Sequence, residues 1–190
     1  PEPYTWFIDI SALPAGNCMW ISKDGTRKKI WCSIADRWAG LKQPCNKSNI
    51  KEQVRDTLYE SLDAHMVSDV PIGIFLSGGI DSTSLLAMLS DLGISNIVGI
   101  TLKYSEFEGS NDDESSVAAY AAEQYGASHH IRVVSKPEFE KDLPDILSSM
   151  DQPSIDGINT WYASKCASEL GLKVVISGVG GDELFHGYKS

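Results

Sequence analysis

No run of basic residues occurs anywhere in the 190 residues, and Lys and Arg together number 16 against 26 Asp and Glu, a net charge of −10. That balance excludes the phosphate-tracking surface on which a nucleic-acid binder depends. Any anionic ligand must then be held by backbone dipoles, a metal or a few selected cations. No apolar stretch reaches the roughly 20 residues that a membrane span requires. The four cysteines, Cys18, Cys32, Cys45 and Cys166, lack CxxC spacing. This argues against a zinc knuckle or a disulfide framework and for reduced thiols in a cytoplasmic protein. There is no internal repeat, no low-complexity tract, and no GxxxxGK[ST] element of the P-loop kinases and GTPases. The first residue is Pro1 and no signal-peptide pattern follows it, so a segment of a longer polypeptide is expected.

What is present is an ordinary globular composition, 42% hydrophobic and 22% charged, with room for one sizeable core. Residues 1–45 carry short alternating runs, YTWFIDI, NCMWISKDG and KKIWCSI, broken by LPAGN and KDGT. They read as strands and turns without a helix, too short to close a barrel or sandwich. This is either an extension or the end of an upstream domain. From Ser48 the pattern changes. SNIKEQVRDTLYESLDAHM sets Ile50, Val54, Leu58 and Leu62 on one helical face, with Ser48 as N-cap and Glu52 near the capping-box position. Buried strands are then predicted at VPIGIFLS, NIVGITLKY, HHIRVVS and KVVISG. Helices are predicted from Ile80 to Leu92, over DDESSVAAYAAEQYG with Gly126 as C-cap, and over KPEFEKDLPDILSSM and INTWYASKCASELG. Strands alternating with helices predict an α/β fold, a three-layer α/β/α arrangement around a parallel sheet.

The element FLSGGIDST lies where a strand runs into a helix, the place where open parallel sheets bind ligands. Gly78 and Gly79 are expected to turn the backbone tightly so that N–H groups converge on an anion. The free N–H groups and positive dipole end of the following helix add to this. Ser77, Ser82 and Thr83 can donate to phosphate oxygens. Asp81 would repel a phosphate unless a divalent cation stood between them, which points to Mg2+. A plain turn, with Asp81 serving only to complement the helix dipole, is the alternative left open by this stretch alone. A second strand-to-glycine element, VVISGVGGDELFHGY, brings Gly178, Gly180, Gly181 and a second carboxylate, Asp182. If the two loops face one another, Asp81 and Asp182 can share a magnesium ion bound to a pyrophosphate. Glu183 is read as a capping or salt-bridging residue.

DVPIGIFLSGGIDST together with SGVGGDELFHGY resembles the synthetase domain of the glutamine-dependent asparagine synthetases, whose SGGxDS loop binds pyrophosphate in an ATP pyrophosphatase superfamily. NDDESSVAAYAAEQYGASHH and DQPSIDGINTWYASKCASELGLK are similar to the same family. WFIDISALPAGNCMWIS is similar to the end of that family's N-terminal glutaminase domain. The resemblance implies an adenine nucleotide hydrolase-like fold over 46–190, preceded by a short β remnant over 1–45. It also implies a carbon–nitrogen ligase of amino-acid biosynthesis: ATP adenylates a small carboxylate, aspartate in the best-known members, and ammonia from glutamine then forms the amide. By resemblance, Ser77, Gly78, Gly79 and Ser82 hold the pyrophosphate, Asp81 and Asp182 ligate Mg2+, Leu76 and Leu102 flank the adenine, and Ser177 and Gly178 lie near the nucleotide. The implied partners are ATP, the carboxylate substrate and a glutaminase domain of the same parent chain, with a homodimer left open and neither nucleic acid nor membrane expected.

Three departures qualify this. None of Cys18, Cys32 and Cys45 stands where the family's N-terminal glutamine nucleophile does, and the chain ends at Ser190, ahead of the family's downstream lysine and substrate pocket. The 190 residues are therefore expected to bind nucleotide at most. Val179 replaces the Glu that follows SG in typical members, which opens the reading to another carboxylate, as in carbohydrate-pathway or lactam-forming relatives, or to an inactive nucleotide-binding module. Among the remaining residues, one of His129 and His130 is expected to be buried and hydrogen-bonded and the other exposed. Lys103 is read as a solvated cation or a phosphate contact. Asp112 and Asp113 are expected to cap a helix, Ser110 and Glu114 are candidates for lining the cleft entrance, and Trp161 and Tyr162 are expected to pack a helix on the sheet.

Overall fold

The computed structural model describes residues 2–40, 49–110, 113–154, 156–185 and 187. The chain divides into two compact units, Pro1–Gln53 and Val54–Ser190. The expected boundary at 45/46, the Ser48 cap, Cys45 and Asp112 all lie outside the described residues.

In the first unit, β1 (Asn17–Ser22) and β2 (Gly25–Ile30) form an antiparallel hairpin. YTWFIDI is not a strand: it holds a single bridge between Tyr4 and Ser11 amid bends and turns. The expectation of no helix is overturned by α1 (Ile34–Gly40). Ser33 starts this helix, its Oγ accepting from the Asp36 N–H at 3.2 Å, a hydroxyl cap of the kind that favours helix entry. Among the described residues 2–40 none is buried. The hairpin therefore has no core of its own.

The helix α2 (Ile50–His65) follows. Of its predicted apolar stripe only Leu62 is buried, while Ile50, Val54 and Leu58 remain 43, 36 and 37% exposed. The second unit then alternates strand and helix except for one pair of consecutive helices, α5 and α6: β3 (Ile72–Phe75), α3 (Ile80–Asp91), β4 (Val98–Tyr104), α4 (Ser115–Gln124), β5 (Ser128–Val134), α5 (Lys136–Ser148), α6 (Gly157–Glu169), β6 (Val174–Ile176) and the short α7 (Gly181–Phe185). The four strands of this unit form one sheet in the order β5-β4-β3-β6, every pair parallel. Helices start and stop where their termini dictate. Ser135 accepts the Glu138 N–H to open α5, whose Pro137 sits at the tolerated first turn. Gly93, Gly126 and Gly171, at φ of 72, 69 and 71°, follow the ends of α3, α4 and α6, the left-handed geometry that terminates helices.

Successive strand residues face opposite sides, and the core divides accordingly. Ile74 and Leu76 pack with Leu62, Leu86, Leu89, Ala118, Ala121 and Ala122 under α2, α3 and α4. On the other face Phe75 and Ile100 meet Cys166 and Ala167 of α6, and Leu102, Val134 and Ile146 meet Tyr162. The result is the expected three-layer α/β/α fold. Full burial of a side chain such as Leu86 contributes about 1.5–3 kcal/mol, and small residues on α4 and α6 let these helices lie close to the sheet.

Candidate functional site

The sheet order places a topological switch at β3. The chain leaves β3 through α3 to β4 on one side, and returns later to β6 on the other. A crevice opens at the carboxyl ends of strands on either side of such a point, and the two glycine loops emerge there from the neighbouring strands β3 and β6. They touch. A Cβ on Gly178 would stand 3.1 Å from Asp81 Cβ and 3.3 Å from the Ser82 nitrogen, and one on Gly181 would collide with the Asp81 carboxylate. These two glycines are needed because another loop occupies the space a side chain would fill. At Gly180 the requirement is conformational, with φ at 103°.

The reason expected for Gly78 and Gly79 is corrected. Gly79 is extended, φ −75° and ψ 156°, and neither residue is among the positive-φ glycines. Gly78 is favoured by proximity: a Cβ there would lie 3.2 Å from Glu114 Cβ and 3.4 Å from Val117 Cβ, so α4 would have to give by a few tenths of an ångström. Inside the loop, Ser82, itself buried, takes the Ser77 N–H on its Oγ at 3.1 Å and lies 3.0 Å from Ser77 Oγ. Ser77 Oγ accepts the Gly79 N–H at 3.1 Å. The Gly78 N–H donates to Glu114 Oε2 at 3.1 Å. α3 has no side-chain cap, so its first-turn N–H groups open toward the crevice end of the sheet.

Behind the loop runs a polar chain, buried at Thr101 and half-buried at His129. Thr101 on β4, 3% exposed, donates from Oγ1 to the Leu76 carbonyl at 2.6 Å and lies 2.7 Å from His129 Nε2. Because the hydroxyl has one proton and gives it to Leu76, His129 donates from Nε2. Burial, helped by the neighbouring His130, holds the His129 pKa below its ordinary value, so the ring is the neutral Nε2–H form. His130 is exposed, as expected, whereas His129 is hydrogen-bonded but only half-buried, which corrects the expectation that one of the pair is buried.

Lys103 is neither solvated nor directed at a ligand. Its ammonium bridges Glu108 at 3.1 Å and Asp113 at 3.0 Å, and the bond to Asp113, then that to Glu108, raises its pKa. Asp113 caps α4 as expected, accepting the N–H and hydroxyl of Ser115. The Ser115 hydroxyl first, and Lys103 second, hold its carboxyl well below the usual carboxylate range.

Of the predicted site residues, Ser77, Gly78, Gly79, Asp81 and Ser82 are brought together with Gly178, while Ser177 stands at the exposed end of β6 with its Oγ accepting the Val179 N–H. Leu76 and Leu102 are not brought together: Leu76 is 2% exposed in the α3/α4 core, and Leu102 packs on the opposite face against α5 and α6. Among the described residues no group of three or more His, Cys, Asp or Glu side chains is placed to hold a metal ion. Carboxylate oxygens beside a glycine loop nevertheless have the chemistry that suits a hard cation such as Mg2+. Asp81 stands in that position, whereas the Asp182 carboxylate is turned against the backbone of Gly187.

The chain matches the family model described as Asparagine synthase over residues 53–190. It is 35% identical over 192 residues to "Asparagine synthetase [glutamine-hydrolyzing] 1" of Bacillus subtilis, covering 99% of this chain and 29% of that protein. It is 31% identical over 158 residues to "Amidase chyE" of Penicillium rubens, covering 75% and 23%. A solved NH3-dependent NAD synthetase from Campylobacter jejuni aligns with 75% of this chain and 61% of its own, at 18% identity and a TM-score of 0.45. The chain thus spans less than a third of the length of these curated relatives. With the family model covering both glycine loops and every element between them, the chain belongs to the asparagine synthase family.

Proposed function

We propose that the chain forms the nucleotide-binding part of an ATP-dependent amide-forming ligase, acting on aspartate with ammonia drawn from glutamine by a glutaminase domain of the same polypeptide. The observation that carries this reading is the contact of the two glycine loops at the sheet's switch point, with Asp81 between them. In this reading Ser77, Gly78, Gly79 and Ser82 receive the β- and γ-phosphates of ATP. Ser177 and Gly178 border the nucleotide from the β6 side. Leu76, just past β3, and Leu102, within β4, border the adenine through their backbone, since both side chains pack in the core. Asp81, and Asp182 after it turns from Gly187, would hold Mg2+, which would neutralise charge on the departing pyrophosphate.

The chemistry balances in two steps. A carboxylate oxygen of the substrate attacks the α-phosphorus, and the bond from that phosphorus to the bridging oxygen breaks to release pyrophosphate. Ammonia then attacks the acyl carbon, AMP leaves with the acyl oxygen bond, and a proton goes to solvent. Loop donors that grip pyrophosphate favour the first step by stabilising the leaving charge.

A second reading concerns the acid alone. Val179, 88% exposed on the β6 loop, offers no polar contact to an amino-acid substrate, and a relative of comparable identity is named an amidase. The test is pyrophosphate release by the intact polypeptide with ATP, Mg2+ and a panel of acids. Release with aspartate supports the first reading, release only with another acid supports the second, and none with any acid leaves a nucleotide-binding module.

A further inference from the structure

The Gly78 N–H points at the position where an anion would sit, and an anion is already there: Glu114 Oε2, 3.1 Å away. Glu114 does not reach this spot as a wandering surface side chain. Its Cβ lies 3.2 Å from where a Gly78 Cβ would be, so the start of α4 is pressed against the loop. Its neighbour Asp113 is fixed by Lys103 and by both donors of Ser115. The lysine that might have neutralised Glu114 is committed to Asp113 and Glu108. Together with the Ser82 Oγ on Ser77 N–H and the Ser77 Oγ on Gly79 N–H, every backbone donor from Ser77 to Gly79 has an internal acceptor.

We propose that Glu114 is a displaceable internal anion of the phosphate loop, holding the Gly78 amide in its binding orientation until a phosphate oxygen replaces it. This rests on reading the glycine loop as a phosphate site. The two serines can turn their hydroxyls to donate to an arriving phosphate, because a hydroxyl is both donor and acceptor. A carboxylate can only accept, and it repels a pyrophosphate at the same N–H, so it must leave. Glu114 is exposed, and water can receive the released carboxylate at little cost. The exchange keeps the donor preorganised in the empty loop and makes occupancy depend on a ligand with more charge than one carboxylate, which discriminates against carboxylate and other weakly charged anions.

The experiment measures binding of inorganic pyrophosphate, without metal and then with Mg2+, to the chain and to its Glu114→Gln and Glu114→Asp variants, with the Gly78 amide resonance followed by NMR. Glutamine keeps the shape and a weak acceptor but removes the charge. If the Gly78 donor is free about a tenth of the time, E114Q binds pyrophosphate about tenfold tighter than the parent. E114D, shorter but charged, falls between them. Equal or weaker binding by E114Q while the Gly78 amide of the parent shifts on titration overturns the displacement and leaves the phosphate site standing. Weakening confined to the Mg2+ titration would make Glu114 a metal ligand and equally overturn it. A Gly78 amide unmoved by pyrophosphate in all three proteins refutes the phosphate reading, and the proposal falls with it.

Discussion

The carboxylate of Asp81, in the first turn of α3, occupies the space beside Gly181 that any side chain at Gly181 would need. This contact joins the β3 loop to the β6 loop across the sheet's switch point. A methyl group at Gly181 must drive either the carboxylate or the start of α7 away. Gly181→Ala is therefore expected to leave the far-ultraviolet spectrum unchanged, because α7 is short and lies at the edge of the fold. Displacing the site by about an ångström is expected to weaken Mg·ATP binding about 10- to 100-fold. Calorimetric titration of the variant checks this, and unaltered affinity would separate the contact from ligand binding.

If Asp81 reaches the nucleotide through a cation, its charge matters only when the cation is present. Asp81→Asn is expected to lower the affinity for Mg·ATP about tenfold or more, and to leave metal-free pyrophosphate binding equal or slightly stronger because a like charge has gone. A parallel loss in both titrations would assign Asp81 to holding the loop rather than the metal.

The α/β alternation and the site's two glycine elements were legible in the sequence because strand runs and Gly-rich strand ends carry local patterns. The strand–helix boundaries followed from them: α3 was expected from Ile80 to Leu92 and spans Ile80–Asp91. What could not be read was set by contacts distant in sequence. Gly78 reads locally as a turn glycine, yet what favours it is the proximity of Glu114, 36 residues on. Lys103 reads as a free cation until Glu108 and Asp113 fold back onto it. Leu76 follows β3 and Leu102 lies within β4, both in apolar runs, but the register pairing Phe75 with Ile100 sends them to opposite faces. α1 escapes a sequence pattern because a seven-residue helix around Trp38 has too little periodicity to see, although Ser33 is a usable cap signal.

Thr101 joins His129 to the carbonyl just ahead of the loop. Thr101→Val preserves the volume and removes the hydroxyl, leaving the buried Leu76 carbonyl and the half-buried His129 Nε2–H without that partner. Each stranded group costs about 1–3 kcal/mol, so a drop of the melting temperature by several degrees is expected, along with faster amide exchange at Ser77. Thermal melts and hydrogen exchange measure both. A loss of stability without loosening at Ser77 would confine Thr101 to packing.

Tyr162 poses the opposite case. It is fully buried, its ring meets Trp161 and Tyr104 edge to face at 5.0 and 6.4 Å, and its hydroxyl is the buried side-chain polar atom without a hydrogen-bond partner among the described residues. Burial raises its pKa, which keeps the group neutral. Tyr162→Phe retains the ring contacts and deletes the stranded hydroxyl, so a gain of about 1 kcal/mol is expected. Denaturant titration checks the sign, and a destabilisation would mean that the hydroxyl is satisfied in solution.

The largest charge network among the described residues lies away from the loops and ties three elements together. Arg132 on β5 bridges Glu138 of α5 at 2.5 Å and Glu169 of α6 at 3.0 Å, while Lys165 of α6 reaches Glu138 at 2.9 Å and Asp142 at 2.6 Å. Arg132 above all, with Lys165 behind it, lowers the Glu138 pKa from its ordinary 4.5 to about 2. A carboxyl whose pKa is depressed by folding releases its proton more readily in the folded state, so the unfolded chain binds more protons between those two values. The stability from Glu138 is therefore complete above pH 4.5 and is lost as the pH falls toward 2. Glu138→Gln should lower stability at neutral pH by about 1–3 kcal/mol, allowing for the partial exposure of the pair, and should flatten the acid limb in that window. Denaturant melts of both proteins from neutral pH downward measure the two slopes. Parallel slopes would show that the network holds α5 and α6 together by packing, with no contribution from the Glu138 charge.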